Sequence, residues 1–224
     1  MKHTIMTSSV ATEPLTVASP EFHIEQIHPR KKPLFSFCKR LFDILCSCLG
    51  GIVLLIPMFI IALIVRADSH GPAIYRQERL GLNGKPFMIL KFRSMNLNAE
   101  EDGPQWARPQ DGRCTKVGAF LRKTRLVELP QLWNILIGDM SIVGPRPERK
   151  YFYDQFETYI HGFSHRLCVR PGLTGLAQVN GGYDLKPEEK IIYDMEYIKN
   201  RSLWMDLKCI LKTVHLVFTH DGAR

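Results

Sequence analysis

The sequence lacks the cysteine patterns that build disulfide frameworks or metal sites. Its six cysteines include no Cys-x-x-Cys pair and no spacing typical of metal ligands. Three of them, Cys38, Cys46 and Cys48, lie in or beside an apolar run. Isolated thiols of this kind are typical of reduced proteins that face the cytosol. The pattern argues against a disulfide-stabilised secreted domain.

Acidic residues are in deficit, and common nucleotide-binding motifs are missing. The chain has 30 lysines and arginines against 22 aspartates and glutamates, a formal net charge of +8. This balance favours polyanionic partners such as nucleic acid, anionic lipid or phosphorylated substrates. Neither GxxxxGKS/T nor GxGxxG occurs. Aromatic residues do not alternate along a basic stripe, so nucleic acid is not an expected partner.

Charge is also absent from the run between Ile44 and Val65. As a helix the run would be roughly 33 Å long, enough to cross the hydrocarbon core of a membrane. Pro57 predicts a kink inside it, because proline lacks an amide donor and its ring collides with the preceding turn. Basic residues flank both ends, and positive residues prefer the cytoplasmic side. These features favour a re-entrant hairpin, with a membrane span and a buried soluble helix as alternatives.

Three segments are expected along the chain. Residues 1–33 are rich in Ser, Thr, Pro and Glu and predict a disordered tail without the features of a signal peptide. Residues 34–68 form the membrane-embedded part. Residues 69–224 form a cytosolic domain of the α/β class, mostly helical with a small sheet.

The cytosolic part predicts two strands followed by helices. Residues 73–95 read as two strands joined by a Gly-Leu-Asn-Gly turn. Residues 96–113 are polar and broken by Gly and Pro, which predicts a mobile loop or lid. Helical patterns follow at 116–136, 187–199 and 202–218. The apolar stripe of the last helix is typical of a helix that packs on a core or one that lies on a membrane surface.

Four cations in turns or at element ends are candidate phosphate ligands: Lys91, Arg93, Arg122 and Arg146. Arginine offers a planar fork of donors that suits phosphate oxygens, and lysine offers a compact charge. Taken singly, each is typical of a solvated surface charge. Arg146 has a proline on either side, which lowers the entropy lost when its head group is fixed.

Two carboxylates also attract attention. Glu128 follows several cations and could hold Mg²⁺, or it could be a first-turn glutamate stabilised by the helix dipole. Asp194 lies on the apolar stripe of a predicted helix, where a carboxylate must find a partner or shift its pKa. It could be a structural acid paired with an arginine, or an acid of the functional site.

Longer stretches resemble a known family. LGLNGKPFMILKFRSM, LRKTRLVELPQLWNILIGDMSIVGPRPE and VRPGLTGLAQVNGGYD occur in this order, followed by YDMEYIKNRSLWMDLKCILKT. They resemble the bacterial sugar transferases, the monotopic polyprenyl-phosphate phosphoglycosyl transferases of capsule, exopolysaccharide and glycan assembly. The likeness runs from about Lys39 to the C terminus. The chain looks like a small member, without the additional N-terminal transmembrane helices of larger ones.

The resemblance implies a reaction and a setting. Sugar-1-phosphate would pass from a UDP-sugar to undecaprenyl phosphate with Mg²⁺ as cofactor, leaving UMP. The implied fold is a re-entrant membrane helix broken at Pro57, amphipathic interfacial helices and a small catalytic domain on the cytoplasmic face of the bacterial inner membrane. Expected partners are UDP-sugar, undecaprenyl phosphate and membrane lipid, and downstream glycosyltransferases are further candidates.

The chain departs from the family's often seen Ser-Pro helix break, where it has Ile56-Pro57, and also within the catalytic motif. A family motif like SLDELPQ carries a nucleophilic Asp, followed by a Glu that helps hold Mg²⁺. The matching stretch TRLVELPQ has Glu128 at the Glu position and Val127 at the position of the nucleophilic Asp. Valine has no lone pair, so covalent catalysis is expected to be slow or absent, and a silent membrane-docked scaffold is the alternative. The other family positions match here: Lys91, Arg93, Arg122, Arg146 and Asp194.

Overall fold

The computed structural model describes residues 22–27, 29, 32–101, 103–105, 111–182 and 184–219. Its α-helices are α1 (Pro33–Val53), α2 (Leu55–Asp68), α3 (Lys116–Lys123), α4 (Gln131–Ile137), α5 (Lys150–Glu157), α6 (Leu176–Val179), α7 (Pro187–Asn200) and α8 (Leu203–Thr219). Its strands are β1 (Phe22–His23), β2 (Ile74–Leu80), β3 (Pro86–Phe92), β4 (Ser141–Val143), β5 (Ile160–His161) and β6 (Gly172–Thr174). The described part is therefore mostly helical with small sheets, as the sequence predicted.

The strands form three two-stranded pairs in this part of the chain. β2 and β3 are antiparallel, and Ile74 lies opposite Phe92. A 3₁₀ turn at Leu82–Gly84 joins them, so the predicted hairpin is confirmed. β4 pairs with β6 and β1 pairs with β5, both in parallel. β1 falls inside the predicted disordered tail, which is therefore ordered where Phe22–His23 pairs with the domain; residues 1–21 of that tail lie outside the described residues.

The main core lies between α5, α7 and the 3₁₀ helix Phe163–Cys168. Its fully buried members include Ile160, Phe163 and Ile191. Phe156 packs edge-on against Phe163 with 5.1 Å between ring centroids. This aromatic packing supports the back wall of the site described below.

α1 is fastened to the domain by its own charged residues. The Lys39 ammonium contacts the Asp206 carboxylate of α8 at 2.7 Å. The Arg40 guanidinium donates to the carbonyls of Ile135 and Leu136, at 2.6 and 2.8 Å. Those carbonyls lie at the end of α4, where amide donors of the helix run out, and the Ile135 carbonyl also accepts from the Gly138 amide at 3.1 Å. Two of the flanking cations that suggested a membrane topology therefore act as contacts between α1 and the domain.

Asp43 makes a second attachment of α1. Its side chain is 2% exposed although it lies within a mostly apolar helix. Its Oδ1 accepts hydrogen bonds from the Ser141 hydroxyl at 3.1 Å and from the Ile142 amide at 3.0 Å. A buried carboxylate is tolerated when donors of this kind satisfy it. α1 is thereby held against β4.

The chain bends between α1 and α2. The two helices meet at Leu54 at an angle of 63°. Pro57 has no amide to donate to the Val53 carbonyl, and its ring would collide with that carbonyl, so the helix opens there. The Leu54 amide still donates to Gly50, and the Met58 amide donates to Leu54. The predicted kink is confirmed, although its centre lies three residues before the proline, which sits in the first turn of α2.

The far end of α2 is held by Arg93 from β3. Its guanidinium donates to the carbonyls of Ser69 and His70 at 2.6 Å each, and to that of Val65 at 3.3 Å. Val65 and Phe92 pack together in an apolar cluster beneath it. Both legs of the bent helix pair are thus attached to the same domain.

Large apolar side chains are exposed on two surfaces of the described part. No single helix there is long and apolar enough to cross a membrane, although α1 and α2 pass that test as a bent pair. Their exposed side chains include Leu45, Leu49, Ile52, Ile56, Phe59 and Leu63. α8 also turns apolar residues outward, among them Leu203, Trp204, Leu207, Leu211 and Phe218. Of the two predictions for the last helix, core packing is confirmed for the face of α8 that contributes Cys209 and Ile210 to the main core. A position of the outward apolar face on a membrane surface stays a prediction.

The predicted loop begins and ends in a fixed place. Met95 and Cys114 form an isolated antiparallel bridge, and the Asn96 amide donates to the Arg113 carbonyl at 3.0 Å. Within the predicted loop, Asp102 and the stretch 106–110 lie outside the described residues. Its mobility stays a prediction.

Candidate functional site

Glu128 lies in a 3₁₀ turn, Leu126–Glu128, that separates α3 from α4. α3 begins at Thr115, whose hydroxyl accepts a hydrogen bond from the Gly118 amide. After α3 the chain reverses at Arg125, which has φ 60 and ψ 5, a left-handed conformation uncommon for residues other than glycine. This reversal brings Glu128 towards the loop that follows β4.

Glu128 pairs with Arg146 of the Gly-Pro-Arg-Pro loop. Arg146 Nη2 donates to Glu128 Oε1 at 2.6 Å, and both side chains are largely buried. The loop itself is pinned, because the Gly172 amide donates to the Pro145 carbonyl and Arg166 Nη2 donates to the Arg146 carbonyl at 2.8 Å. The sequence placed these two residues 18 positions apart as separate candidates, and the fold joins them.

Lys91 on β3 completes a cluster that we call the mouth: Glu128, Arg146 and Lys91. Burial lowers the pKa of Lys91, the positive charges of Arg79 and Arg146 lower it further, and the resulting pKa is about 7. Burial alone would raise the pKa of Glu128, but the charges of Arg146 and Lys91 outweigh it, so that pKa is lowered. Glu128 is therefore an anion within a surplus of positive charge.

The mouth opens on a cavity of about 330 Å³. Five of the predicted residues line it: Lys91, Arg93, Arg122, Arg146 and Asp194. Glu128 itself does not line the cavity, but it forms an ion pair with Arg146, which does. A concave site with converging charged groups is the usual place for a small anionic ligand.

The predicted cations differ in what they contact. Arg122 ends α3 and lines the cavity. Arg93 is 5% exposed, and its terminal nitrogens hold the end of α2. This contact accounts for Arg93 structurally, and its role in phosphate binding stays a prediction.

Val127 does not face the cavity. It packs with an apolar cluster built from Val65, Phe92 and Leu121, between α2, β3 and α3. The position that the resemblance assigns to a nucleophile is thus an apolar packing position in this chain. Asp139, another carboxylate near the motif, lies within 3.5 Å of Asn134 and does not line the cavity.

A second group of cavity-lining residues, which we call the floor, consists of Asp194, Arg166 and Gln178. Asp194 Oδ2 lies 2.7 Å from Arg166 Nη2, and both side chains are 2% exposed. Burial raises the pKa of Asp194 to about 6, although the Arg166 charge opposes this. The prediction that Asp194 pairs with an arginine is confirmed. Asp194 also lines the cavity, and its role as an acid of the functional site stays a prediction.

Sequence reasoning missed several residues that line the cavity, and four of them bear on the site. Arg166 lies over the rings of Phe163 and Tyr153, at 5.0 and 5.9 Å from their centroids. The other three are Gln178, Glu148 and Lys190. Lys190 lies one helical turn before Asp194, and this i, i+4 spacing was a usable signal. Nothing local in the sequence pointed to Arg166 or Gln178, because their partners are distant along the chain.

Carboxylates suited to a metal are sparse. Within the described ranges no group of three or more His, Cys, Asp or Glu side chains lies close enough to hold a metal ion. Mg²⁺ nevertheless binds through one or two carboxylates when substrate phosphates supply the other oxygens. Glu128 is the carboxylate of the mouth, and its predicted role in holding Mg²⁺ together with a phosphorylated ligand stays a prediction.

Comparison with known proteins defines the class. The family model of the bacterial sugar transferases matches residues 34–220, and the chain belongs to this family.

The relatives are phosphotransferases by name. The UDP-N-acetylgalactosamine-undecaprenyl-phosphate N-acetylgalactosaminephosphotransferase of Aeromonas hydrophila is 43% identical over 196 residues, 86% of this chain and 46% of the relative. UDP-glucose:undecaprenyl-phosphate glucose-1-phosphate transferases are 45% identical in Klebsiella pneumoniae, over 83% of this chain and 41% of the relative, and 43% identical in Caulobacter vibrioides, over 83% and 71%. The chain spans less than half the length of the first two.

Proposed function

We propose that this chain binds a UDP-sugar and undecaprenyl phosphate as a phosphoglycosyl transferase of the priming step of exopolysaccharide, capsule or glycan assembly. The observation that carries the proposal is the mouth: Glu128, paired with Arg146 at 2.6 Å, beside Lys91 at a cavity lined by cations. The relatives named above, which by name use both substrates, support it.

The mouth suits a diphosphate. Lys91 and Arg146 offer charge-assisted hydrogen bonds to the phosphate oxygens, and Arg122 adds positive charge along the wall. Glu128 would hold Mg²⁺, which when bound offsets the negative charge of a diphosphate. In the overall transfer an oxygen of the lipid phosphate bonds to the β-phosphorus, and the bond from that phosphorus to UMP breaks.

Val127 limits the rate in this proposal. A covalent route needs a nucleophile, and the Val127 side chain has no lone pair and packs against apolar residues. We infer that the chain binds the donor and transfers sugar phosphate slowly or not at all. The same observation favours a second candidate function, a membrane-docked scaffold for polysaccharide assembly.

The deciding experiment replaces Val127. Val127→Asp is expected to raise transfer of radiolabelled sugar phosphate to undecaprenyl phosphate by about 100-fold or more, the scale on which removal of a nucleophile acts. It should also lower the free energy of unfolding by about 1–3 kcal/mol, because a carboxylate enters an apolar cluster. Val127→Asn is the matched control, with similar shape and no nucleophilic carboxylate. Equal turnover in Val127→Asp and the unchanged chain would contradict the proposal.

We further propose a location at the bacterial inner membrane, with the domain facing the cytoplasm. Both legs of the α1–α2 pair are attached to one domain, through Lys39 and Asp43 at one end and Arg93 at the other. A straight crossing would place those attachments on opposite sides. The exposed apolar faces of the pair and of α8 support a hairpin that enters one leaflet and returns, with α8 on the lipid surface.

Labelling tests this topology. Ser36→Cys and Asp68→Cys, each in a chain whose six native cysteines are replaced, place one thiol at either end of the hairpin. In inside-out vesicles a membrane-impermeant maleimide should label both; in right-side-out vesicles it should label neither. Labelling of the two positions from opposite sides would exclude the hairpin.

A further inference from the structure

The floor contains polar atoms that the protein does not satisfy. Arg166 is 3% exposed, yet its Nε and Nη1 are buried without a hydrogen-bond partner. Asp194 is 1% exposed, and its Oδ2 forms an ion pair with Arg166 but accepts no hydrogen bond. Both amide atoms of Gln178 are buried and unpartnered as well. Each buried polar group left unsatisfied costs about 1–3 kcal/mol, so such a cluster indicates a ligand with matching polar groups.

The chemistry of these atoms differs from that of the mouth. Asp194 offers an acceptor, Arg166 offers donors, and the Gln178 amide offers one of each. A diphosphate has only acceptors, and Asp194 would repel it. A hydroxyl group both donates and accepts, so neighbouring hydroxyls of a sugar can match a carboxylate beside a guanidinium and an amide.

The floor also adjoins the mouth. Arg166 donates through Nη2 to the backbone carbonyl of Arg146, whose side chain pairs with Glu128. A group bonded directly to the phosphate held at the mouth would therefore reach the floor within the same cavity. In a UDP-sugar the group bonded to the β-phosphate is the sugar. The uracil ring matches the floor less well, because it has one N–H to donate to the acceptors there.

We propose that Gln178, Asp194 and Arg166 bind the hydroxyl groups of the donor's sugar and so determine which sugar the chain accepts. This inference rests on the proposed function. Gln178 is the residue best suited to discriminate, because its amide is neutral and takes no part in the ion pair. Its short helix, α6, ends at Val179 and holds the side chain against the cavity.

Equilibrium binding to the full chain in detergent tests the proposal. Dissociation constants are measured for UDP, UMP, UDP-glucose, UDP-galactose and their two N-acetylated amino-sugar counterparts. The quantity of interest is the ratio of the constant for UDP to that for the best UDP-sugar. Gln178→Leu keeps the size of the side chain and removes its hydrogen bonds; we expect this ratio to fall about 10-fold, with the affinity for UDP unchanged.

A second glutamine provides the matched control. Gln77 lines the same cavity, but its amide is already engaged: Nε2 donates to Glu100 at 3.1 Å, and Oε1 accepts from Arg79 at 2.6 Å. Gln77→Leu should leave the ratio unchanged. Retained UDP binding in Gln178→Leu shows that this variant is folded.

The outcomes separate the two proposals. No binding of any UDP-sugar by the unchanged chain would overturn the proposed function, and this inference with it. If UDP-sugars bind and neither affinity changes in Gln178→Leu, this inference alone is overturned, and bound water is the remaining partner of the floor. Equal losses for UDP and UDP-sugar would also overturn it, because the floor would then bind the nucleotide.

Discussion

The mouth and the floor each contain a carboxylate paired with an arginine, yet they behave differently. The separations are nearly equal, 2.6 Å for Glu128–Arg146 and 2.7 Å for Asp194–Arg166. The pKa of Glu128 is lowered, whereas burial raises that of Asp194 to about 6. Lys91 adds a further cation at the mouth, and the floor is more deeply buried. Contact distance alone therefore does not set the electrostatics of an ion pair; burial and the surrounding charges decide it.

The largest predicted difference concerns stability. Arg166→Met should lower the free energy of unfolding by about 3–5 kcal/mol, because it leaves the Asp194 charge buried without its partner. Arg146→Met should cost less, about 1–2 kcal/mol, since the Glu128 side chain is 16% exposed against 2% for Asp194 and keeps Lys91 nearby. Urea unfolding in detergent, followed by tryptophan fluorescence, measures both. Adding Asp194→Leu to Arg166→Met should recover part of the loss, and equal costs at the two pairs would refute the contrast.

A smaller effect is expected at the mouth when pH changes. Lys91, with a pKa of about 7, is charged below that pH and neutral above it. The affinity for UDP should therefore fall by about 10-fold as pH rises through and beyond 7, because the loss of one charge-assisted hydrogen bond costs about that much affinity. Bound diphosphate raises the pKa of Lys91, which extends the fall to higher pH. Isothermal titration across pH 6–9 measures it; Lys91→Met should bind weakly and without this fall, and a flat profile in the unchanged chain would contradict the role.

The smallest effect is expected at the floor. Asp194, with a pKa of about 6, loses its charge as pH falls through that value. The affinity for UDP-sugar relative to UDP should then drop a few-fold between about pH 7 and pH 5, because one acceptor is converted to a donor. Because the pKa of Asp194 is raised in the folded state, its protonation stabilises the folded protein. The fall in relative affinity is therefore not caused by unfolding on protonation of Asp194. The Asp194→Asn variant should show no such pH dependence. An equal drop in that variant would mean that another titrating group causes it.

Local patterns in the sequence were enough to place several of the elements, although the helix predicted at 116–136 is interrupted by the 3₁₀ turn Leu126–Glu128. The β2–β3 hairpin, its Gly-Leu-Asn-Gly turn and the two closing helices lie where alternation and helical periodicity predicted them. These features depend on neighbouring residues, so no tertiary information was needed. The kink near Pro57 was predictable for the same reason. Its centre lies at Leu54, next to Val53, whose carbonyl lacks the amide donor that a residue other than proline would supply at position 57.

The partners of the charged residues could not be predicted in this way. Lys39, Arg40 and Arg93 read as flanking or phosphate-binding cations, and each contacts a carboxylate or a helix end elsewhere in the fold. Arg166 carried no signal in the sequence. A side chain's type determines what it can bind, but its neighbours are set by contacts between residues far apart along the chain.

The sequence by itself determined the family, the β2–β3 hairpin, the two closing helices, the bend near Pro57 and the absence of a carboxylate at position 127. Only the tertiary structure decided that Glu128 meets Arg146, that Asp194 and Arg166 form a buried floor with Gln178, and that Val127 packs with Val65 and Phe92. The physical reason is the range of the interactions. Helix, strand and turn preferences act over a few residues, whereas ion pairs, burial and pKa shifts depend on which distant segments the folded chain brings together.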